Sequence, residues 1–123
     1  MSWKKLVEIK QKYFFRGDIL RCLAKYPYEK IVDFMLINDP QSPSGHTLIV
    51  ATGYKSGHIL ICLPEEALPP KSEKVGGILV SWVIKNWNEW IYDDTEVGDV
   101  YFSRGHYIRD DGLIGPCPYE DEE

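Results

Sequence analysis

Three short apolar runs, closely spaced in the first half of the chain, limit its possible folds more than any other feature. They cover residues 31–37, 46–52 and 58–63, and each is rich in Ile, Leu and Val. The first two are separated by a dense cluster of turn-forming residues at 38–45, and the last two by a five-residue loop with two glycines. Neither connection has room for a crossover helix, so neighbouring runs are predicted to pair as antiparallel hairpins.

Four further segments complete the predicted sheet. A strand is expected at residues 19–23, after a turn at 16–18, and a weakly alternating one at residues 6–10. Another begins at residue 98 and could pair with Tyr107 and Ile108. Residues 64–77 contain three prolines and two glycines, which is typical of a surface excursion. The pattern predicts an antiparallel sheet of about five or six strands.

The spacing of apolar residues changes after residue 80. Val83, Trp87 and Ile91 lie four apart, which predicts one main amphipathic helix over residues 81–92 with Ser81 as N-cap. Its apolar side would cover one face of the sheet. We therefore expect an α+β fold in which residues 1–123 form one globular domain, with an acidic, mobile tail at about 110–123.

The charge is distributed unevenly along the chain. Residues 1–62 carry nine Lys or Arg against five Asp or Glu, whereas residues 63–123 carry five against fourteen, for a net charge of −5. An acidic surface repels phosphates and suits a basic protein partner, so no nucleic acid is expected. No apolar run is long enough for a secretion signal or a membrane helix, which predicts a cytoplasmic protein without a membrane partner.

Signatures of catalysis and metal binding are not evident. Cys22, Cys62 and Cys117 are widely spaced, and Cys22 and Cys62 are expected to be reduced core residues in apolar strands. His46 and His58 open consecutive strands and could approach each other, but the short ligand spacing of metal sites is missing. We therefore predict no catalytic residues, no metal and no cofactor. A cysteine-dependent hydrolase remains an alternative, since the partners of a catalytic cysteine need not be close in sequence.

Aromatic and acidic residues concentrate around the predicted helix. Trp87 belongs to its apolar face, while Trp82 and Trp90 fall to the side, where at least one is expected to be partly exposed. Tryptophan is enriched in binding hot spots, and carboxylates speed encounter with a basic partner. The candidate partner-binding residues are Trp82, Trp90, Asp93, Asp94, Glu96 and Asp99.

The N-terminal region offers a different interpretation. Six basic residues gather near the aromatic segment at residues 13–15, which is the combination that RNA-binding surfaces use. They are Lys4, Lys5, Lys10, Lys12, Arg16 and Arg21. A small RNA- or protein-binding accessory module is therefore the alternative function.

An ordered set of short motifs between about residues 14 and 103 resembles the immunity protein 45 family. The motifs are Phe15-Arg16-Gly17-Asp18-Ile19-Leu20-Arg21-Cys22, Val32-Asp33-Phe34-Met35-Leu36, Ser42-Pro43-Ser44-Gly45, Thr52-Gly53-Tyr54-Lys55-Ser56-Gly57, Ser81-Trp82 with Asn86-Trp87 and Trp90, and Gly98-Asp99-Val100-Tyr101. The resemblance implies a non-catalytic cytoplasmic protein of a contact-dependent inhibition or polymorphic toxin system. Its expected partner is the toxic C-terminal domain of a cognate effector, which we expect to be a nuclease.

Overall fold

The computed structural model describes residues 3–104, which form an α+β fold, as predicted. All strand pairings are antiparallel, and the order in the main six-stranded sheet is β1-β8-β3-β4-β5-β6, while β2 and β7 form a second, two-stranded sheet. The strands are β1 (Lys4–Lys5), β2 (Tyr13–Phe14), β3 (Ile19–Leu23), β4 (Ile31–Asn38), β5 (His46–Val50), β6 (Ile59–Cys62), β7 (Ile78–Leu79) and β8 (Tyr101–Ser103).

The central meander β3-β4-β5-β6 confirms the two predicted hairpins. Hydrogen bonds within the wide loop between β4 and β5 explain its turn-forming sequence. The buried Ser42 hydroxyl donates to the carbonyl oxygens of His46, at 2.6 Å, and Leu63, at 3.2 Å. The Thr47 hydroxyl donates to the Asp39 carboxylate at 2.9 Å. These polar side chains replace backbone partners that an irregular loop lacks, so this loop is part of the scaffold.

Three boundary predictions were wrong. The strand predicted from residue 98 begins at Tyr101, because Val97–Asp99 is a 3-10 helix. Residues 6–10 do not form a strand; Leu6–Glu8 is a 3-10 helix that follows β1. The Leu6 backbone N–H donates to the Val100 carbonyl at 2.8 Å, which turns the chain inward and buries Leu6. Ser81 is not an N-cap, because the main helix α1 (Val80–Asn86) starts one residue earlier, directly after β7. The proposed strand at Tyr107 and the acidic tail lie outside the described residues.

The predicted main helix is confirmed, and it continues from α1 as a π-helical turn, Trp87–Ile91. Trp87 is fully buried, and its ring centroid lies 6.4 Å from that of Phe34 in the centre of the sheet. Alternate residues of the central strands join the same core, since side chains along a strand point to opposite faces. They include Leu20, Cys22, Val32, Phe34, Leu36, Leu48, Val50 and Phe102.

The opposite set of strand side chains forms what we call the open face of the sheet, although Ile19, Asp33 and Thr47 on this face are buried. Leu23 is 64% exposed, Ile31 54% and Ile59 61%. Cys62 is also exposed, which corrects its prediction as a core residue, whereas Cys22 is buried as predicted. Cys62 is the last residue of β6 and pairs with Thr47 of β5. Since β6 is an edge strand, no further strand lies beside Cys62 on its other side.

A polar pair lies in the middle of the open face. Arg21 and Asp33 are direct cross-strand partners of β3 and β4, and two hydrogen bonds of 2.7 and 2.9 Å join them. The Trp3 ring lies 4.1 Å from the Arg21 guanidinium carbon. The Asp33 backbone N–H donates to the Thr52 hydroxyl at 3.0 Å. The charges of the pair are thus matched within the sheet and held by neighbours on both sides.

Asp18 directly precedes β3 and is buried, with 2% of its surface exposed. Its Oδ2 accepts a hydrogen bond from the Phe15 backbone N–H at 2.9 Å and forms an ion pair with Arg104 at 3.0 Å. Its Oδ1 has no hydrogen-bond partner among the described residues. Burial is the largest influence, and it raises the pKa of Asp18 from 3.8 to about 6.

The raised pKa of Asp18 predicts a specific pH dependence of stability. The folded protein holds this proton more tightly than the unfolded chain, so Asp18 destabilises the fold at pH 7 and stops doing so as the pH falls through about 6 to about 4. Asp18→Asn should therefore lose up to about 3 kcal/mol of stability relative to the wild type between pH 7 and pH 4. Urea unfolding across this range measures the difference. Asp93→Asn, at an exposed position, is the control, and identical profiles for both variants would refute the explanation.

Candidate partner-binding surface

Three connecting segments meet at one end of the main sheet, which we call the loop end. They are residues 24–30 between β3 and β4, residues 51–58 between β5 and β6, and residues 93–100 before β8. The first two are joined by the Tyr54 backbone N–H, which donates to Glu29 at 3.1 Å. The third is joined to Leu23 at the end of β3, directly before the first, by the Thr95 hydroxyl, which donates to the Leu23 carbonyl. The loop end is therefore one connected surface.

Two tyrosines stand out at the tips of this surface. Tyr26 and Tyr54 are each 93% exposed. Gly53, next to Tyr54, has φ of 77°, and a Cβ built there would lie 1.7 Å from a Glu29 carboxylate oxygen. The positive φ favours glycine at this position, and the missing side chain leaves room for the Glu29 carboxylate. Tyrosine offers a large contact area with few rotatable bonds, which suits a binding surface.

Three of the four predicted carboxylates line a groove of about 300 Å³ at the loop end. Asp94, Glu96 and Asp99 border it together with Leu23, Ala24, Lys25 and Thr95. Asp93 is exposed but does not line this groove. A second groove, of about 420 Å³, continues onto the open face and shares Leu23 and Asp99 with the first. Its other lining residues are Arg21, Cys22, Ile31 and Tyr101.

The acidic segment is held in place by hydrogen bonds to the core. Thr95 is buried, and its carbonyl oxygen accepts from the Trp87 indole N–H at 2.9 Å and from the Asn88 side-chain amide at 3.2 Å. After it, the Asp99 backbone N–H donates to the Glu96 carbonyl at 2.9 Å, closing a 3-10 turn. The groove carboxylates are therefore positioned by the buried end of the main helix.

The predicted tryptophans form a separate pair. Trp82 is half-buried and packs against the core, and Trp90 is 43% exposed; their ring centroids lie 6.0 Å apart. The predictions that Trp87 faces the core and that a neighbouring tryptophan is partly exposed are confirmed. The six predicted residues thus fall into a tryptophan pair on the helix, a groove with three carboxylates, and Asp93. Their role in binding a partner stays a prediction.

Sequence reasoning missed the apolar part of this surface. Leu23, Ile31 and Tyr101 lie on the open face, and Tyr26 and Tyr54 lie in hairpin loops. One signal was available: a single helix can cover only one face of a six-stranded sheet. Apolar residues at both parities of a strand therefore indicate an apolar surface on the uncovered side.

The sites considered for catalysis are poorly suited to it. Cys22 is buried, and burial raises the pKa of its thiol to about 12, which disfavours the nucleophilic thiolate. His46 and His58 do not approach each other as considered above, because they occupy opposite ends of the β5–β6 hairpin; His46 pairs with Asn38, and the His58 carbonyl accepts from Val50. Within residues 3–104, no group of three His, Cys, Asp or Glu side chains could hold a metal.

The basic N-terminal region is partly neutralised. Lys12 forms an ion pair of 2.9 Å with Glu73, and the Tyr13 hydroxyl donates to the same carboxylate. Arg21 is paired with Asp33 on the open face, and Phe14 is buried in the core. The basic and aromatic residues of this region therefore do not form one free surface.

Comparison with known proteins gives one family. A family model described as immunity protein 45 matches residues 6–102. No curated protein and no solved structure matches the chain. None of the helices in the described part of the chain is long and apolar enough to cross a membrane.

The two tryptophan environments predict different effects of truncation. Trp87→Ala should destabilise the protein by about 3–5 kcal/mol, since it empties the centre of the core and removes the hydrogen bond to Thr95. Trp90→Ala should cost about 0.5–1.5 kcal/mol, the usual value of an aromatic pair. Denaturant unfolding of both variants tests this, and equal losses would show that Trp90 is a core residue.

Proposed function

This chain belongs to the immunity protein 45 family, whose model matches residues 6–102, and we propose that it neutralises one cognate toxin domain by binding it stoichiometrically. Membership of this family supports an immunity function with a toxin protein as partner. The proposal adds that the partner is the C-terminal domain of an effector from a contact-dependent inhibition or polymorphic toxin system. It also adds that this domain is a nuclease and that neutralisation takes place in the cytoplasm.

The observation that carries the proposal is the placement of Asp94, Glu96 and Asp99 along one groove beside exposed apolar side chains. None of the ion pairs within residues 3–104 uses these carboxylates. The ion pairs are Lys12–Glu73, Arg21–Asp33 and Arg104–Asp18. Since a nuclease must attract phosphates, its substrate-binding surface is basic, and an acidic groove complements such a surface.

The chemistry of the described residues supports an inhibitor that binds its target. The acidic groove is held by hydrogen bonds from the Trp87 indole and the Thr95 hydroxyl, so it is pre-organised for contact. The Cys22 thiol beside it is poorly disposed to ionise, because burial raises its pKa to about 12. Such an inhibitor needs no chemical step, only a complex that dissociates slowly. It could cover the active site of the toxin or bind the toxin elsewhere.

The proposal is tested by co-purification with a tagged C-terminal domain of the protein encoded directly upstream. We expect a stable one-to-one complex, measured by light scattering, and rescue of cells that express this domain. Absence of both would refute the pairing. Salt-dependent retention of RNA by the free protein, lost when Lys10, Lys12, Arg16 and Arg21 are neutralised, would favour the accessory-module alternative.

The acidic segment should control how fast the complex forms. Replacing Asp93, Asp94, Glu96 and Asp99 with Asn or Gln should slow association by about 10-fold at low salt and flatten its salt dependence. Stopped-flow fluorescence at several salt concentrations measures both. The control removes the same charge at four exposed glutamates elsewhere in the chain, Glu8, Glu65, Glu66 and Glu89. An equal effect of the two sets would mean that only net charge matters.

A further inference from the structure

The larger groove on the open face is an apolar surface that no described element covers. Leu23, the last residue of β3, and Ile31, the first of β4, are direct cross-strand partners, and they are 64% and 54% exposed. Tyr101, 40% exposed, lies on the other side of β3, opposite Arg21. Together they border a groove of about 420 Å³. A group of apolar side chains this exposed is typical of a protein–protein contact site.

The charged residue at the floor of this groove is neutralised by an ion pair. Arg21 lines it, but its guanidinium forms two hydrogen bonds with Asp33 and lies against the Trp3 ring. The pair is held in a fixed geometry, so it presents a rigid surface to a ligand. Among the lining residues, the remaining charge is that of Asp99, which belongs to both grooves.

The rim is predominantly acidic. Asp94 and Glu96 line the adjoining groove, and Lys25 is the one cation among its lining residues. Leu23 lies between the two, since it borders both the apolar groove and the acidic one. A ligand seated on Leu23 would therefore have apolar side chains under it and carboxylates beside it. This combination repels nucleic acid and favours a protein surface in which Lys or Arg flank an apolar residue.

We propose that the groove around Leu23, Ile31 and Tyr101 is the anchor point for the partner protein, which inserts an apolar side chain flanked by Lys or Arg. This inference rests on the proposed function and names the chemistry of the partner at that site. Burial of the apolar side chain supplies the contact, while Asp99, Asp94 and Glu96 pair with the flanking cations at the rim. The exposed Tyr26 and Tyr54 extend the same surface at the loop end.

Two substitutions of opposite charge at Leu23 test this chemistry in the full-length protein. The probe is the purified toxin domain described above, and affinity is measured by titration calorimetry. Leu23→Lys should weaken binding at least 10-fold and at least 5-fold more than Leu23→Glu, because only lysine repels the flanking cations. The double variant Leu23→Ala, Ile31→Ala, which adds no charge, should also weaken binding at least 10-fold.

Ile59 provides the matched control. It lies on the same face, is 61% exposed and lines neither groove. Ile59→Lys and Ile59→Glu should each change affinity less than 3-fold, and thermal melts should show that all variants remain folded. Equal losses at Leu23 and Ile59, or no loss in the double alanine variant, would overturn the anchor point. Equal losses for Lys and Glu at Leu23, or tighter binding with Lys, would overturn the basic partner.

The wild-type titration separates this inference from the proposed function. Binding by the wild type, with unchanged affinity in every Leu23 variant, would leave the immunity function standing and refute the groove. No binding by the wild type would refute both.

Discussion

Burial of Trp87 is the interaction on which the rest of the structure depends. The indole packs on Phe34 at the centre of the sheet, and its N–H donates to the Thr95 carbonyl. Thr95 in turn donates to Leu23 at the end of β3. One side chain therefore joins the main helix, the middle of the sheet and the acidic segment, so the core also positions the groove carboxylates.

A second constraint follows from having one main helix against a six-stranded sheet. The helix and the two-stranded β2-β7 sheet contribute side chains to a core that uses one face of the main sheet. The other face keeps exposed apolar residues, among them Leu23, Ile31 and Ile59. A protein of this size gains little by leaving such residues exposed, so their retention supports the partner-binding surface proposed above.

The proposed interface uses two kinds of side chain, carboxylates and apolar residues. Carboxylates on a segment fixed by Thr95 act at a distance and guide a basic protein, whereas Leu23 and Ile31 act only in contact. Specificity for one toxin would arise mainly from the second kind, since any basic protein feels the first. Glu29 joins the two hairpin loops, because its carboxylate accepts a hydrogen bond from the Tyr54 backbone N–H.

The sequence by itself determined the local structure. The turn-forming cluster at residues 38–45 forces β4 and β5 into a hairpin, and the four-residue spacing of Val83, Trp87 and Ile91 puts Trp87 in the core. These are short-range effects of chain reach and of periodicity, which a linear pattern records. The motifs between residues 15 and 101 were enough for the family, because they preserve an order along the chain.

Only the tertiary structure decided which residues become neighbours across the sheet. Residues 6–10 read as a strand, but Leu6–Glu8 form a 3-10 helix, and the Leu6 backbone N–H donates to the Val100 carbonyl before β8. Cys62 reads as a core residue, but β6 is an edge strand and exposes it. The acidic segment lies next to Leu23 because β8 inserts between β1 and β3. Such placements depend on long-range pairing, whose free energy is shared among residues far apart in sequence, so no local pattern reports it.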